Sequence, residues 1–215
     1  GADLRDAVLV GCKTLQWRND GANMDGALTD DRPVGAAVSR MPAAEMIHDH
    51  AVWCETGGAE GGPSVFDGVD LRALRTIRGF NLTALSARGA VFYGLDMEGV
   101  KLQGAHLEKA DLRAVNLRGA DLRGARLTGA RLAGSDLRGA QLGPLMISPE
   151  RLLPADLTGA SLRGADLSGA DLRRAVFTDA DLSRAALHGA QMRQTDLTGA
   201  NLNGARGLPA QETAA

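Results

Sequence analysis

The chain has 215 residues, 44% hydrophobic and 3% aromatic, with a formal net charge of −2. No stretch reaches the roughly 18–20 apolar residues of a membrane span. A near-neutral balance with seven aromatics argues against direct nucleic-acid binding. Two cysteines, Cys12 and Cys54, form no disulfide framework and favour a reducing compartment, so the expected location is cytoplasmic. The sequence starts at Gly1, already inside a repeated unit and without Met or a signal-peptide pattern, and reads as a processed or truncated end.

In chain order, residues 1–29 read as a short, degenerate tract of five-residue units, with Leu4, Leu9, Thr14, Asn19, Met24 and Thr29 at the bulky position. Residues 30–63 follow as linker plus helix. The helix is expected over Pro42–Glu55: proline suits a first turn, Ala43, Ala44, Glu45 and Met46 are helix formers, and Thr56-Gly57-Gly58 ends it. Met46, Ile47, His50, Trp53 and Cys54 make a stripe that must be buried, and the open end or flank of the following element is the nearest cover. Repeats resume at Phe66 and Leu71, and the phase slips by one residue before Ile77.

From Ile77 to Leu202 a bulky apolar residue recurs at nearly every fifth position, as in Leu102, Leu107, Leu112, Leu117, Leu122 and Leu127, and only Ala87 is small. A small residue sits two positions earlier, with Asp or Asn often between, so the unit reads Ala-Asp-Leu-x-Gly. A period of five fits neither a helix nor a single strand. It fits a chain that bends after each short extended piece. Four such sides close a square coil, with each residue stacked on the one twenty earlier at about 4.8 Å. Leu and Ala then face inward, and glycine eases the corner. The segment Leu145–Pro154 keeps phase: Ile147 and Leu152 fall at the core position and Pro144, Pro149 and Pro154 at the corner. It reads as two degenerate sides, with a bulged loop of equal length as the alternative. The main tract is 64–206, and 207–215 is a short, proline-broken tail.

Ala110-Asp111-Leu112, Ala120-Asp121-Leu122, Ala155-Asp156-Leu157, Ala165-Asp166-Leu167, Ala170-Asp171-Leu172 and Ala200-Asn201-Leu202 carry a resemblance. The chain resembles the pentapeptide-repeat family. That likeness implies an all-β solenoid, a right-handed quadrilateral β-helix, here with a short α-helical insertion near the N-terminal end.

Chemistry is sparse in the sequence. His50 and Cys54 lie at i and i+4, with His48 nearby, but zinc asks for three or four ligands. A structural histidine beside Trp53 is the preferred reading, and neither metal nor cofactor is expected. The aspartates interleave with arginine two residues on, as in Asp111/Arg113, Asp121/Arg123, Asp136/Arg138 and Asp171/Arg173, and read as solvated pairs. No nucleophile elbow, phosphate loop or dinucleotide fingerprint is present. The chain is not expected to be an enzyme.

The expected role is a non-catalytic interaction or scaffold module, read from outward columns twenty residues apart. One is Glu98, Arg118, Arg138, Thr158, Thr178, Thr198; another, suited to an acidic partner, is Arg113, Ala133, Leu153, Arg173, Arg193. Val91 and Tyr93 flank Phe92 and are expected to point outward together. The candidate interface is therefore Val91, Tyr93, Arg113, Arg173 and Arg193, on an unidentified protein partner, with a homodimer through the rod ends as a further arrangement. The family resemblance implies an alternative, a DNA mimic that binds a type II topoisomerase such as DNA gyrase. Such a mimic needs a continuous acidic surface, whereas residues 85–205 hold thirteen Asp/Glu against fifteen Lys/Arg.

Overall fold

The computed structural model describes Asn23 and residues 42–208. The chain divides into two units, 1–36 and 37–215. The first tract, its linker and the tail beyond 208 lie outside the described residues, Asn23 apart. The second unit begins with helix α1, Ala43–Glu55, with Pro42 at its N-cap. Apart from a turn at 72–74 and an excursion at 145–154, the later sides of the coil are built alike. The Asp or Asn position makes a single-residue parallel bridge to the same position one coil on, as in Asn81–Lys101–Asp121–Gln141 and Val91–Asp111–Arg131. The bulky residue follows and is buried; Leu82, Leu102, Leu122 and Leu142 are all fully enclosed. Four such sides complete each coil, so the architecture is a quadrilateral β-helix.

The corners explain the five-residue unit. The N–H of Ala105 donates to the Leu102 carbonyl at 3.0 Å, and that of Ala120 to Leu117 at 3.0 Å, closing a four-residue turn at each corner. Only the third residue of each turn has a positive φ, +64° at Gly104 and +61° at Gly119, which defines a type II turn. Glycine at the fifth repeat position therefore does more than relieve crowding. It supplies the left-handed backbone that the corner needs. The small residue that follows is enclosed beside the core, and where Ser135 replaces alanine its hydroxyl donates to the Leu132 carbonyl at 2.7 Å.

The phase slip is housed in a short 3₁₀ turn, Arg72–Leu74. Bridges before it span twenty-one residues (Val65–Ser86, Asp70–Val91) and those after it twenty (Thr76–Asp96).

The segment 145–154 is where the expectation of two degenerate sides is overturned. It forms an antiparallel hairpin outside the coil, β1 (Leu145–Ser148) paired with β2 (Arg151–Leu153). Ile147 is 51% exposed and Leu152 39%, so neither is a core residue. The coil closes beneath the hairpin, where Arg126 pairs with Asp156 and Gln141 with Asp171. The cause lies in the prolines. Pro144, Pro149 and Pro154 all occupy the turn position that demands a positive φ, and proline is locked near −65°. A type II corner cannot form there, and the chain leaves the coil until Ala155.

Helix α1 covers the first coil. Ile47, His50 and Ala51 are its buried residues, and Ile47 joins the core that contains Phe66 and Leu82. In later coils the carbonyl after the bulky residue accepts an N–H from the coil before, as Gln103 does from Ala84 at 2.9 Å. Thr83 has no preceding coil among the described residues. Its carbonyl accepts from His50 Nε2 at 3.1 Å and from Cys54 Sγ at 3.5 Å instead. The helix thus replaces a missing coil at the edge of the β-helix. No described helix is long and apolar enough to cross a membrane.

Candidate functional site

The histidine of α1 is fixed by backbone groups on both sides. Ser64 N–H donates to His50 Nδ1 at 3.0 Å, so Nε2 carries the proton that reaches Thr83. Burial pushes its pKa below the ordinary value, only partly offset by the Thr83 carbonyl. The ring lies 5.7 Å from that of Trp53. Neither nitrogen retains a free lone pair for a metal, and among the described residues no group of three or more His, Cys, Asp or Glu is placed to hold one.

The aspartates have a role that pairwise charge does not capture. Asp121 Oδ1 accepts the backbone N–H of Arg123 at 3.2 Å, Asp156 that of Thr158 at 2.9 Å and Asp181 that of Ser183 at 2.9 Å. Asn116 and Asn201 do the same for Arg118 and Asn203. Each carboxylate or amide thus ties down the amide entering the corner, the local bond two residues on for which Asp and Asn are suited. The interchange of Asp with Asn at this position was the sequence signal for it, since charge alone would not accept asparagine.

Where arginine follows, it adds a bidentate fork. Arg173 Nε and Nη2 reach Asp171 at 2.8 and 2.7 Å. Hydrogen bonding from the Arg173 side chain, despite partial burial, holds the Asp171 carboxyl below the usual range, and Arg138 does the same for Asp136. One fork is different in kind: Arg113 is 2% exposed and Asp111 6%.

These placements correct part of the expected interface. Arg113 is buried in its ion pair, and Val91 is only 5% exposed, held between the bridge positions Asp70 and Asp111. Val91 and Tyr93 therefore do not form an outward pair; Tyr93 alone is half-buried at the surface. The columns change too. Because the hairpin removes ten residues from the coil, Arg138 stacks above Ser168 and Ala133 above Arg163. Arg113 and Arg173 lie on different faces. Arg173 and Arg193 share a face with Arg123, on the column that passes through Gly143. Beside them stands the hairpin, which sequence reasoning had placed in the core. Leu145 and Leu153 turn inward over Gly124, while Met146 is 68% exposed.

Comparison with known proteins agrees with the repeat. The family model described as "Pentapeptide repeats" matches in 8 copies over residues 105–143, 155–194 and 176–206. Among solved structures, HetL from Nostoc sp. strain PCC 7120, involved in heterocyst differentiation regulation, is 32% identical over 68% of this chain and 73% of that one, with a TM-score of 0.27. A thylakoid-lumen protein of Arabidopsis thaliana is 33% identical over 55% of this chain and 70% of that chain, TM-score 0.23. QnrB1, a plasmid-mediated fluoroquinolone resistance protein, is 22% identical over 60% of this chain and 70% of that chain, TM-score 0.35. No curated protein matches the chain.

Proposed function

We propose, for a chain that belongs to the pentapeptide-repeat family, a non-catalytic role as a protein–protein interaction module on a rigid β-helical support. The observation that carries this reading is the 145–153 hairpin. It sets Met146, Ile147 and Leu152 out in solvent together, and a glycine corner fixes its base. Exposed apolar residues grouped on a fixed projection suit a partner's apolar groove, with Arg123, Arg173 and Arg193 supplying a basic rim for an acidic one. The right-handed sense of the coil, α1 as an insertion between two repeat tracts, and a cytoplasmic location belong to the same proposal. So does pairing of two copies through the last coil, whose Met192, Leu197 and Leu202 are less enclosed than their counterparts.

The test is affinity capture from native extract with the wild-type chain and a Met146→Asp/Ile147→Asp variant, at low and high salt. A partner retained at high salt and lost in the variant supports docking through the hairpin. Equal recovery by both chains removes the hairpin from the interface. The DNA-mimic alternative asks for an acidic cylinder, yet Asp111, Asp121, Asp136 and Asp171 each hold an arginine. Inhibition of gyrase supercoiling by the purified chain would restore that alternative.

A further inference from the structure

A cleft of about 450 Å³ opens where the hairpin leaves the coil, lined by Arg123, Gly143, Asp171, Arg173, Arg174 and Arg193 among others. Its origin is a missing side chain. The column runs Arg123, Gly143, Arg173, Arg193, so glycine leaves a gap between two arginines two coils apart, about 10 Å at sheet spacing. The gap is not free to fill. A Cβ on Gly143 would stand 2.9 Å from Asp171 Oδ2, so that carboxylate forms its floor.

The walls are guanidinium groups already oriented. Arg123 uses Nε and Nη2 on Asp121 at 2.9 and 2.6 Å, and Arg173 uses the same two nitrogens on Asp171. Each guanidinium carries five N–H donors, so each fork fixes the plane and leaves donors over. Arg174 Nε donates to Gln194 Oε1 at 2.8 Å. Arg193 makes no side-chain hydrogen bond or ion pair with the described residues. Of these four arginines, Arg123 and Arg173 are matched by the carboxylates of Asp121 and Asp171, and Arg174 and Arg193 leave an excess of two positive charges across a small volume. A partner's single carboxylate would bring one charge to this excess, whereas a phosphoryl group brings nearly two with three acceptor oxygens. Planar arginine forks also match phosphate bidentately.

We propose that the Gly143 gap, walled by Arg123, Arg173, Arg174 and Arg193, is a binding site for a phosphate-type oxyanion. The phosphoryl group is either a free ion or one borne by a phosphorylated side chain, and the site does not depend on docking through the hairpin.

Calorimetric titration of the full chain with inorganic phosphate and with O-phosphoserine, at ionic strength held constant with NaCl, tests this. Saturable binding of one ligand per chain is expected. Arg193→Gln should weaken it about tenfold, the worth of a charge-assisted bond, and Arg193→Lys should fall between. Arg163→Gln, exposed on another face, should leave it unchanged. Tighter binding of O-phosphoserine assigns the site to a modified side chain, and tighter inorganic phosphate to the free ion. No saturation by either ligand, or equal weakening by Arg163→Gln and Arg193→Gln, overturns the site. The Arg193 side chain holds no partner among the described residues, so its variants should melt with the wild type.

Discussion

At the scale of single residues, the corner's positive φ is the strictest demand, and it isolates cleanly. A Cβ on Gly119 would meet nothing within 4 Å, so Gly119→Ala tests conformation without a clash. The left-handed region disfavours alanine by about 1–2 kcal/mol, part of which is returned by the less flexible unfolded chain. A loss of about 1 kcal/mol in urea unfolding is expected. The reverse change has a native site: Ala114 sits in the same corner position with φ +55°, so Ala114→Gly should raise the urea midpoint. Burial then separates two copies of one motif. Removing one member of a buried ion pair leaves the other charge without compensation. Arg113→Ala should therefore cost about 3 kcal/mol, while Arg138→Ala, at an exposed copy of the fork, should barely move the midpoint. Equal effects at the two arginines would contradict the burial argument. The sequence could not separate these copies, because Asp111-Leu112-Arg113 and Asp136-Leu137-Arg138 read alike.

At the scale of elements, the hairpin is an excursion that the coil does not need. Leu142, Gly143, residue 144 and Ala155 would make one complete corner if residue 144 could take a positive φ. Deleting residues 145–154 together with Pro144→Gly should therefore give a folded β-helix, its melt by circular dichroism within a few degrees of the wild type. An unfolded product would mean that the hairpin holds the two halves in register. Helix α1 is tied to pH through His50. Its folded pKa is depressed, so the unfolded state binds more protons, and stability rises with pH across this group. The contribution is present above the ordinary value near 6.5 and is lost as pH falls through the lower folded value. Thermal melts from pH 7.5 to 5 should show this loss, and His50→Gln should flatten it. Asp136 and Asp171 titrate in a separate, more acidic window: their depressed pKa values contribute stability that disappears only as pH falls through them. Both elements were partly legible. The span of α1 and the one-residue slip before Ile77 could be read directly. The hairpin is not legible from the corner position of its prolines alone; it follows only from the positive φ that this corner requires.

At the scale of the whole β-helix, the local repeat is easy to read because each unit repeats the same demand, while the faces are not. A ten-residue excursion shifts every outward column downstream of it, so Arg113 and Arg173 part company and Arg123, Gly143 and Arg173 come together. Nothing in a twenty-residue count could foresee that. The ends are also unequal. The first described coil is enclosed, with Phe66, Leu71 and Leu82 at 0% exposure, because α1 lies on it and fills the Thr83 acceptor. In the last coil the N–H groups of Met192, Leu197 and Leu202 find no backbone acceptor among the described residues. A solenoid gains stability from each neighbouring interface, so protection should peak in the middle and fall toward the less supported end. Hydrogen exchange should therefore be slowest around Leu107–Leu137, fast at Met192, Leu197 and Leu202, and slow again in the coil beneath α1. His50→Ala should raise exchange over Phe66–Leu85 and leave the last coil unchanged. If both ends respond together, the coil opens as one cooperative unit, and α1 is not a local edge cap.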